Sequence, residues 1–298
     1  MKRQVTFLTI FAAGFLTVPV FAADGVSGIT GVRWGKNTFY FEPMPSGPQP
    51  LRNLIRRPNG TGNVNQLVGD YRNPILRPEA AAVVKQKGEL AIAGKGFVNA
   101  QEQCRPIQPP YAFAMQLGFQ MLPKNDGNIT IIYGNNNNVR QIRMNDSHPT
   151  KLVPSPMGDS IGHWEGDMLV IDTIGVRTDS FTSADRFGTP QSEAMHVTER
   201  YRLIDGTLAK AAQEKAEKLE GAVGNGARVS GVDPDTSRKG LQLEVTMEDP
   251  NVFTAPLTVL VTYRPLMVEW QEDICADNPV EYYKDQYVGL PKADHSDF

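Results

Sequence analysis

From Leu117 onward the chain runs in short segments that alternate apolar and polar residues and end on turn-forming Gly, Asn or Asp. Phe119–Leu122, Gly127–Tyr133, Val139–Met144, Ser160–Trp164, Met168–Thr173, Ala194–Leu203, Leu241–Glu248, Leu257–Tyr263 and Met267–Ile274 form about nine such runs, mostly with hairpin-length links. Alternation at period two sets one face of a strand on a core and the other in water. A meander this long leaves two edges that would recruit other strands, and closing on itself removes both. The expected fold is mainly β: an antiparallel up-and-down meander closing into a lipocalin-like barrel. A sandwich or a fragmentary propeller is the alternative.

The segments around the barrel read differently. Residues 24–116 are expected to form an irregular N-terminal arm, since the run Glu42-Pro43-Met44-Pro45-Ser46-Gly47-Pro48-Gln49-Pro50 fixes φ and removes donors. One short helix is expected there, opening on Pro78 and running to about Ala91. The barrel domain then spans 117–275. Inside it, residues 208–240 read as a surface insertion, a charged helix (LAKAAQEKAEKLEG) followed by a Gly-rich loop, with a solvated face. Residues 276–298 form a polar tail.

Residues 1–23 read as a cleaved signal peptide. Lys2 and Arg3 precede an apolar run from Val5 to Val20, and Val20-Phe21-Ala22-Ala23 offers a cleavage site. The run is shorter than the ~20 apolar residues of a bilayer span, so no membrane span is expected after cleavage, and the protein is expected in the periplasm or outside the cell. The remaining chain carries 28 basic against 33 acidic side chains, a net −5. Without a basic stripe, nucleic acid is not an expected partner. Cys104 and Cys275 are the two cysteines. An oxidising compartment favours a disulfide between them, with two buried free thiols as the alternative.

The stretch from Gly158 to Thr173, GDSIGHWEGDMLVIDT, is the densest in information. It resembles the signature of a large family of secreted bacterial proteins in which G-D-S-x-G-x-W-E-G-D-x-L-V-x-D-T recurs. Met195–Tyr201, Glu248-Asp249-Pro250 and the surroundings of both cysteines resemble further blocks of that family. The resemblance implies export and a β domain and carries no mechanism. Two other motifs fail. Gly158-Asp159-Ser160-Ile161-Gly162 fits G-x-S-x-G, but its serine enters a strand that runs into a hairpin, not a strand-turn-helix elbow. His163-Trp164-Glu165 is not H-E-x-x-H.

Two hairpin registers are open, with His163 opposite Val170 or opposite Met168. Both put Ile161, His163, Met168, Val170 and Asp172 on one face and Ser160, Gly162, Trp164, Leu169 and Ile171 on the other. On the run Ala194–Leu203, Glu199 shares its face with Met195, Val197, Tyr201 and Leu203. A carboxylate there must be paired or protonated. The candidate acid–base groups are His163, Asp172, His196 and Glu199, against surface pairing for His163 and Asp172 and an Arg or Tyr partner for Glu199. Candidate ligand-binding residues are Tyr133, Trp164, Arg200, Tyr201 and Trp270. No cofactor or metal is expected, because His148, His163 and His196 carry no ligand spacing. A small organic molecule is the expected partner, and the oligomeric state stays open. The leading expectation is a small-molecule-binding barrel. A cofactor-free lyase, isomerase or hydratase in the same cavity and a structural cell-envelope protein are the alternatives.

Overall fold

A computed structural model describes residues 28–58, 60, 62, 66–95, 100, 104–135, 138–220 and 231–270. Its strands are β1 (Arg33–Gly35), β2 (Glu42–Pro43), β3 (Phe119–Pro123), β4 (Ile129–Tyr133), β5 (Val139–Met144), β6 (Asp159–Glu165), β7 (Met168–Ile174), β8 (His196–Ile204), β9 (Gly240–Glu248) and β10 (Leu257–Pro265). Neighbours run β1-β3-β4-β5-β6-β7-β8-β9-β10, and β10 pairs back to β1, closing a nine-stranded barrel; β2 adds to the outside of this order on β10. The expected barrel with few helices is therefore present.

The closing strand was expected in the wrong place. Met267–Trp270 forms no strand, and residues 271–274 lie outside the described ones. Three residues of the arm supply the ninth stave instead: Trp34 pairs with Phe119 on one side and Pro265 on the other. Trp34 is buried, and its indole Nε1 donates to the Ile29 carbonyl at 2.8 Å. A three-residue strand gives too short an alternation to register as a β run.

The meander also breaks once. Every barrel pairing is antiparallel except β5–β6, which is parallel, with Arg143 beside Ile161 and Met144 beside Gly162. Parallel neighbours need a crossover, and residues 145–158 make it along the outer face. Gly162 permits the approach: a Cβ there would lie 2.9 Å from both Ile142 Cγ2 and Met144 Sδ.

The inward-facing positions alternate along the long strands, while Leu169–Ile171 of β7 and Val261–Pro265 of β10 are buried on both faces. Phe119, Met121, Ile131, Tyr133, Ile142, Leu169, Ile171, Val197, Tyr201, Leu243, Val245 and Tyr263 are buried in one core. Phe119 packs edge-on against Tyr133, Tyr201 and Tyr263, with ring centroids 5.0 to 6.2 Å apart.

Helix α1 (Pro78–Ile92) begins on its proline, as expected, and buries Ala80, Val84 and Gly88. Helix α2 (Gly206–Glu220) opens on an Asp205 cap, whose Oδ1 accepts from the Thr207 and Leu208 amides at 2.8 and 3.2 Å. Its charged face is solvated, as expected, with Lys210 and Glu214 about half exposed or more, and its opposite face packs on the barrel. Ala209, Gln213, Ala216 and Glu220 are buried, and Gln213 Nε2 donates to the carbonyls of Gly35 and Thr262. One glutamine thus ties the insertion to β1 and β10 where the barrel closes. Residues 221–230 lie outside the described ones.

Candidate functional site

The hairpin adopts the first expected register, with His163 opposite Val170 and Asp172 opposite Ile161. Its two faces carry two separate polar networks, one inside the barrel and one outside.

The inner network centres on Arg140, 1% exposed, and Glu199, fully buried. The guanidinium meets both carboxylate oxygens, at 2.5 and 3.1 Å. Arg140 Nε donates to Ser160 Oγ at 2.9 Å, and its terminal nitrogens also donate to the Tyr133 and Thr173 hydroxyls. Tyr201 donates to Glu199 Oε2 at 2.7 Å, and the Ser160 and Thr173 hydroxyls lie 3.1 Å apart. Burial is the largest single influence and would lower the Arg140 pKa, but the charge and hydrogen bond of Glu199 together with Tyr133 and Tyr201 outweigh it and hold the guanidinium protonated. Burial pushes the Tyr133 hydroxyl up to about 12 and that of Tyr201 well above its ordinary value, so both stay neutral. A buried ion pair persists when further hydrogen bonds satisfy both partners, and that condition is met here. Glu199 therefore sits as a neutralised anion, and Tyr133 and Tyr201 spend their hydroxyls on the same pair.

The outer network centres on Asp172. His148 Nε2 lies 2.8 Å from its Oδ1, and His196 Nε2 lies 2.6 Å from its Oδ2. Each imidazole has a second carboxylate at its other nitrogen: Asp159 at 2.6 Å from His148 Nδ1, and Glu248 at 3.3 Å from His196 Nδ1. Arg143 extends the chain, donating to Asp159 at 2.6 Å and to Asp146 at 2.7 Å. The hydrogen bond to Asp172 raises the His196 pKa. Partial burial pushes Asp172 up, but the hydrogen bonds and charges of His196 and His148 together hold it below the usual carboxylate range. Asp159 is likewise pushed up by burial and held low by Arg143 and His148. A general base needs a free lone pair at the reacting atom, whereas both nitrogens of each ring already face carboxylates. The network fastens the 145–158 crossover to β6, β7, β8 and β9.

The remaining candidates lie apart. His163 is half exposed on the outer face and meets Glu165 at 3.1 Å. Arg200 is on the outer face, between Val170 and Glu244. Trp164 points inward opposite Leu169, partly buried against the core. Trp270 packs on Gly134 at one end of the barrel: a Cβ on Gly134 would lie 2.8 Å from the indole Nε1. Among the described residues that buried Nε1 has no hydrogen-bond partner, nor has the buried Asn135 Oδ1 one residue beyond Gly134. Gln116 Oε1, two residues before the Gly118 carbonyl that accepts from Gly134 N, is also buried and has no partner among the described residues. Cys104 is described, whereas Cys275 is outside the described residues. Among the described residues, no group of three or more His, Cys, Asp or Glu is placed to hold a metal ion, and no helix is long and apolar enough to cross a membrane.

Sequence reasoning missed Arg140, Asp159, Thr173, Gln116 and Asn135, and weighed His148 and Ser160 only as a metal ligand and a nucleophile. Arg140 had a signal: it shares strand parity with Ile142 and Met144, so its face is a core face. His148 sits in the crossover, where no periodicity applies.

The fold and its networks define a closed mixed β-barrel with an ion pair at its centre. No family model, curated protein or solved structure matches the chain.

Proposed function

We propose that the protein is an exported β-barrel that binds a small organic molecule at the barrel end formed by Tyr133–Asn135 and Trp270. One observation carries this reading. The indole Nε1 of Trp270 packs on Gly134, Asn135 is the next residue, and among the described residues neither that Nε1 nor the Asn135 Oδ1 has a hydrogen-bond partner although both are buried. An unmade buried hydrogen bond costs ~1–3 kcal/mol, so a ligand that offers an acceptor to the indole and a donor to the amide removes two such costs. The aromatic side chain supplies the apolar wall that small-molecule sites use. The acid–base alternative has less support, because the histidines of the outer network have their ring nitrogens engaged.

Native mass spectrometry of the protein purified from its own cell envelope tests this. We expect a small molecule retained in the native ion and lost on denaturation, with occupancy falling severalfold in Trp270→Phe. A bare polypeptide mass from freshly isolated wild-type protein, with no ligand-induced change in tryptophan fluorescence, overturns it.

Export is supported by the composition of residues 1–23 and by the resemblance of the GDSIGHWEGDMLVIDT block. It carries with it a Cys104–Cys275 disulfide. Alkylation of unreduced protein should leave both cysteines unmodified; two alkylated thiols would remove the bridge from the proposal.

A further inference from the structure

The loop after β7 is held stiffly by its own side chains. Asp179 accepts from Phe181 N at 2.9 Å and Thr182 Oγ1 at 3.1 Å. Asp185 accepts from Phe187 N, Thr189 N and Thr189 Oγ1 at 2.9, 3.1 and 2.6 Å. Lys87 Nζ donates to the Gly188 carbonyl at 2.9 Å. This frame presents Arg186 to the N-terminal arm, where its guanidinium carbon lies 3.8 Å from the centre of the Phe39 ring. Phe187 stacks on Tyr40 with ring centroids 5.7 Å apart.

Among the described residues no carboxylate pairs with Arg186, and its Nε is buried without a partner. The neighbouring Asp185 is spent on Phe187 and Thr189. Tyr40 is 5% exposed and its hydroxyl also lacks a partner. Burial pushes the Tyr40 pKa up to about 12 against the opposing charge of Arg186, so the hydroxyl is a neutral donor. Both residues line a small pocket with Phe39, Phe41, Pro50, Leu51, Phe187 and the Asp185 side chain, whose carboxylate is taken up by Phe187 N and Thr189, and the pocket has room for about one water molecule.

We propose that this pocket seats the carboxylate of a small organic acid, with Arg186 and Tyr40 as its donors. A guanidinium is planar and presents parallel N–H bonds that match a carboxylate, and stacking on Phe39 fixes that plane in advance. The space admits one carboxylate oxygen and no ring, so the rest of the acid lies toward the open side. The apolar wall favours an organic acid over a bare hydrated ion. The site is separate from the barrel end around Trp270, and the two respond to different substitutions.

Calorimetric titration of the full-length protein with benzoate tests the proposal, with benzamide and chloride as controls. Saturable benzoate binding is expected, weakened about tenfold or more in Arg186→Gln and severalfold in Tyr40→Phe, with no binding of benzamide. Benzoate that fails to saturate, or that binds Arg186→Gln like wild type, overturns the site. Chloride binding as tightly as benzoate overturns the organic acid. Should Arg186→Gln fail to fold, Tyr40→Phe decides, and unchanged affinity there overturns the proposal.

Discussion

Ser160 and Thr173 stand directly opposite each other on the β6–β7 hairpin with hydroxyls 3.1 Å apart inside the barrel, while the residue before each, Asp159 and Asp172, points outward to share His148. The Asp-Ser and Asp-Thr pairs at the two ends of the dense sequence block are therefore one device. Each pair sends a hydroxyl in to Arg140 and a carboxylate out to the crossover. Opposite faces follow from the period-two geometry of a strand.

The inner pair sets the first prediction. Glu199→Gln leaves the Arg140 charge buried without its anion, and breaking such a pair costs ~3–5 kcal/mol. A double change, Arg140→Met with Glu199→Met, should lose less than the two single changes together. Urea unfolding of wild type, Glu199→Gln, the two single Met changes and the double change checks both. Additive losses would mean that the two residues are not coupled.

The outer network predicts a pH dependence. The raised pKa of His196 contributes stability that is complete below the ordinary histidine value of ~6.5 and fades as pH rises through the folded value. The lowered pKa values of Asp172 and Asp159 contribute stability present above ~4 and lost as pH falls through their folded values. The crossover should be held best between ~4 and ~6.5. Amide exchange across residues 145–158, corrected for intrinsic rates, should show more protection at pH 5.5 than at pH 8.5. Protection that is equal or reversed counts against the network, and His196→Gln should shrink the difference.

Gly162 predicts a packing cost. Gly162→Ala places a methyl 2.9 Å from Ile142 Cγ2 and Met144 Sδ and 3.3 Å from the Val170 carbonyl. Overpacking of this kind costs ~1–3 kcal/mol, so the melting temperature should fall by several degrees. An unchanged melting temperature would show that β5 and β6 can part at no cost.

Gln213 predicts a link between the insertion and barrel closure. Gln213→Leu removes the donor shared by the Gly35 and Thr262 carbonyls, at ~1–3 kcal/mol. Limited proteolysis should then cut within residues 206–220 before the sheet. Resistance equal to wild type would show that α2 is held by its apolar face alone.

How much of this was legible in the sequence follows from physical range. Eight barrel strands showed through because alternation is local, and the hairpin faces followed from parity alone. Glu199 stood out as a charge on an apolar face, and Arg140 carried the complementary anomaly 59 residues earlier. Matching the two parities would have predicted their pairing. The parallel β5–β6 pair was not legible, since no local pattern distinguishes a crossover of 14 residues from a long hairpin loop. His148, Trp270 and Asn135 gain their settings only from tertiary packing.

The pairing of Trp34 with both Phe119 and Pro265 has a consequence for assembly. Residues 33–35 emerge early in synthesis, yet their second neighbour lies some 230 positions downstream. Until β10 arrives, β1 can dock only on β3, and the nascent sheet carries an open seam. Closing so large a ring is entropically slow. The exposed seam, not the finished cylinder, is thus the state that a chaperone would need to shield.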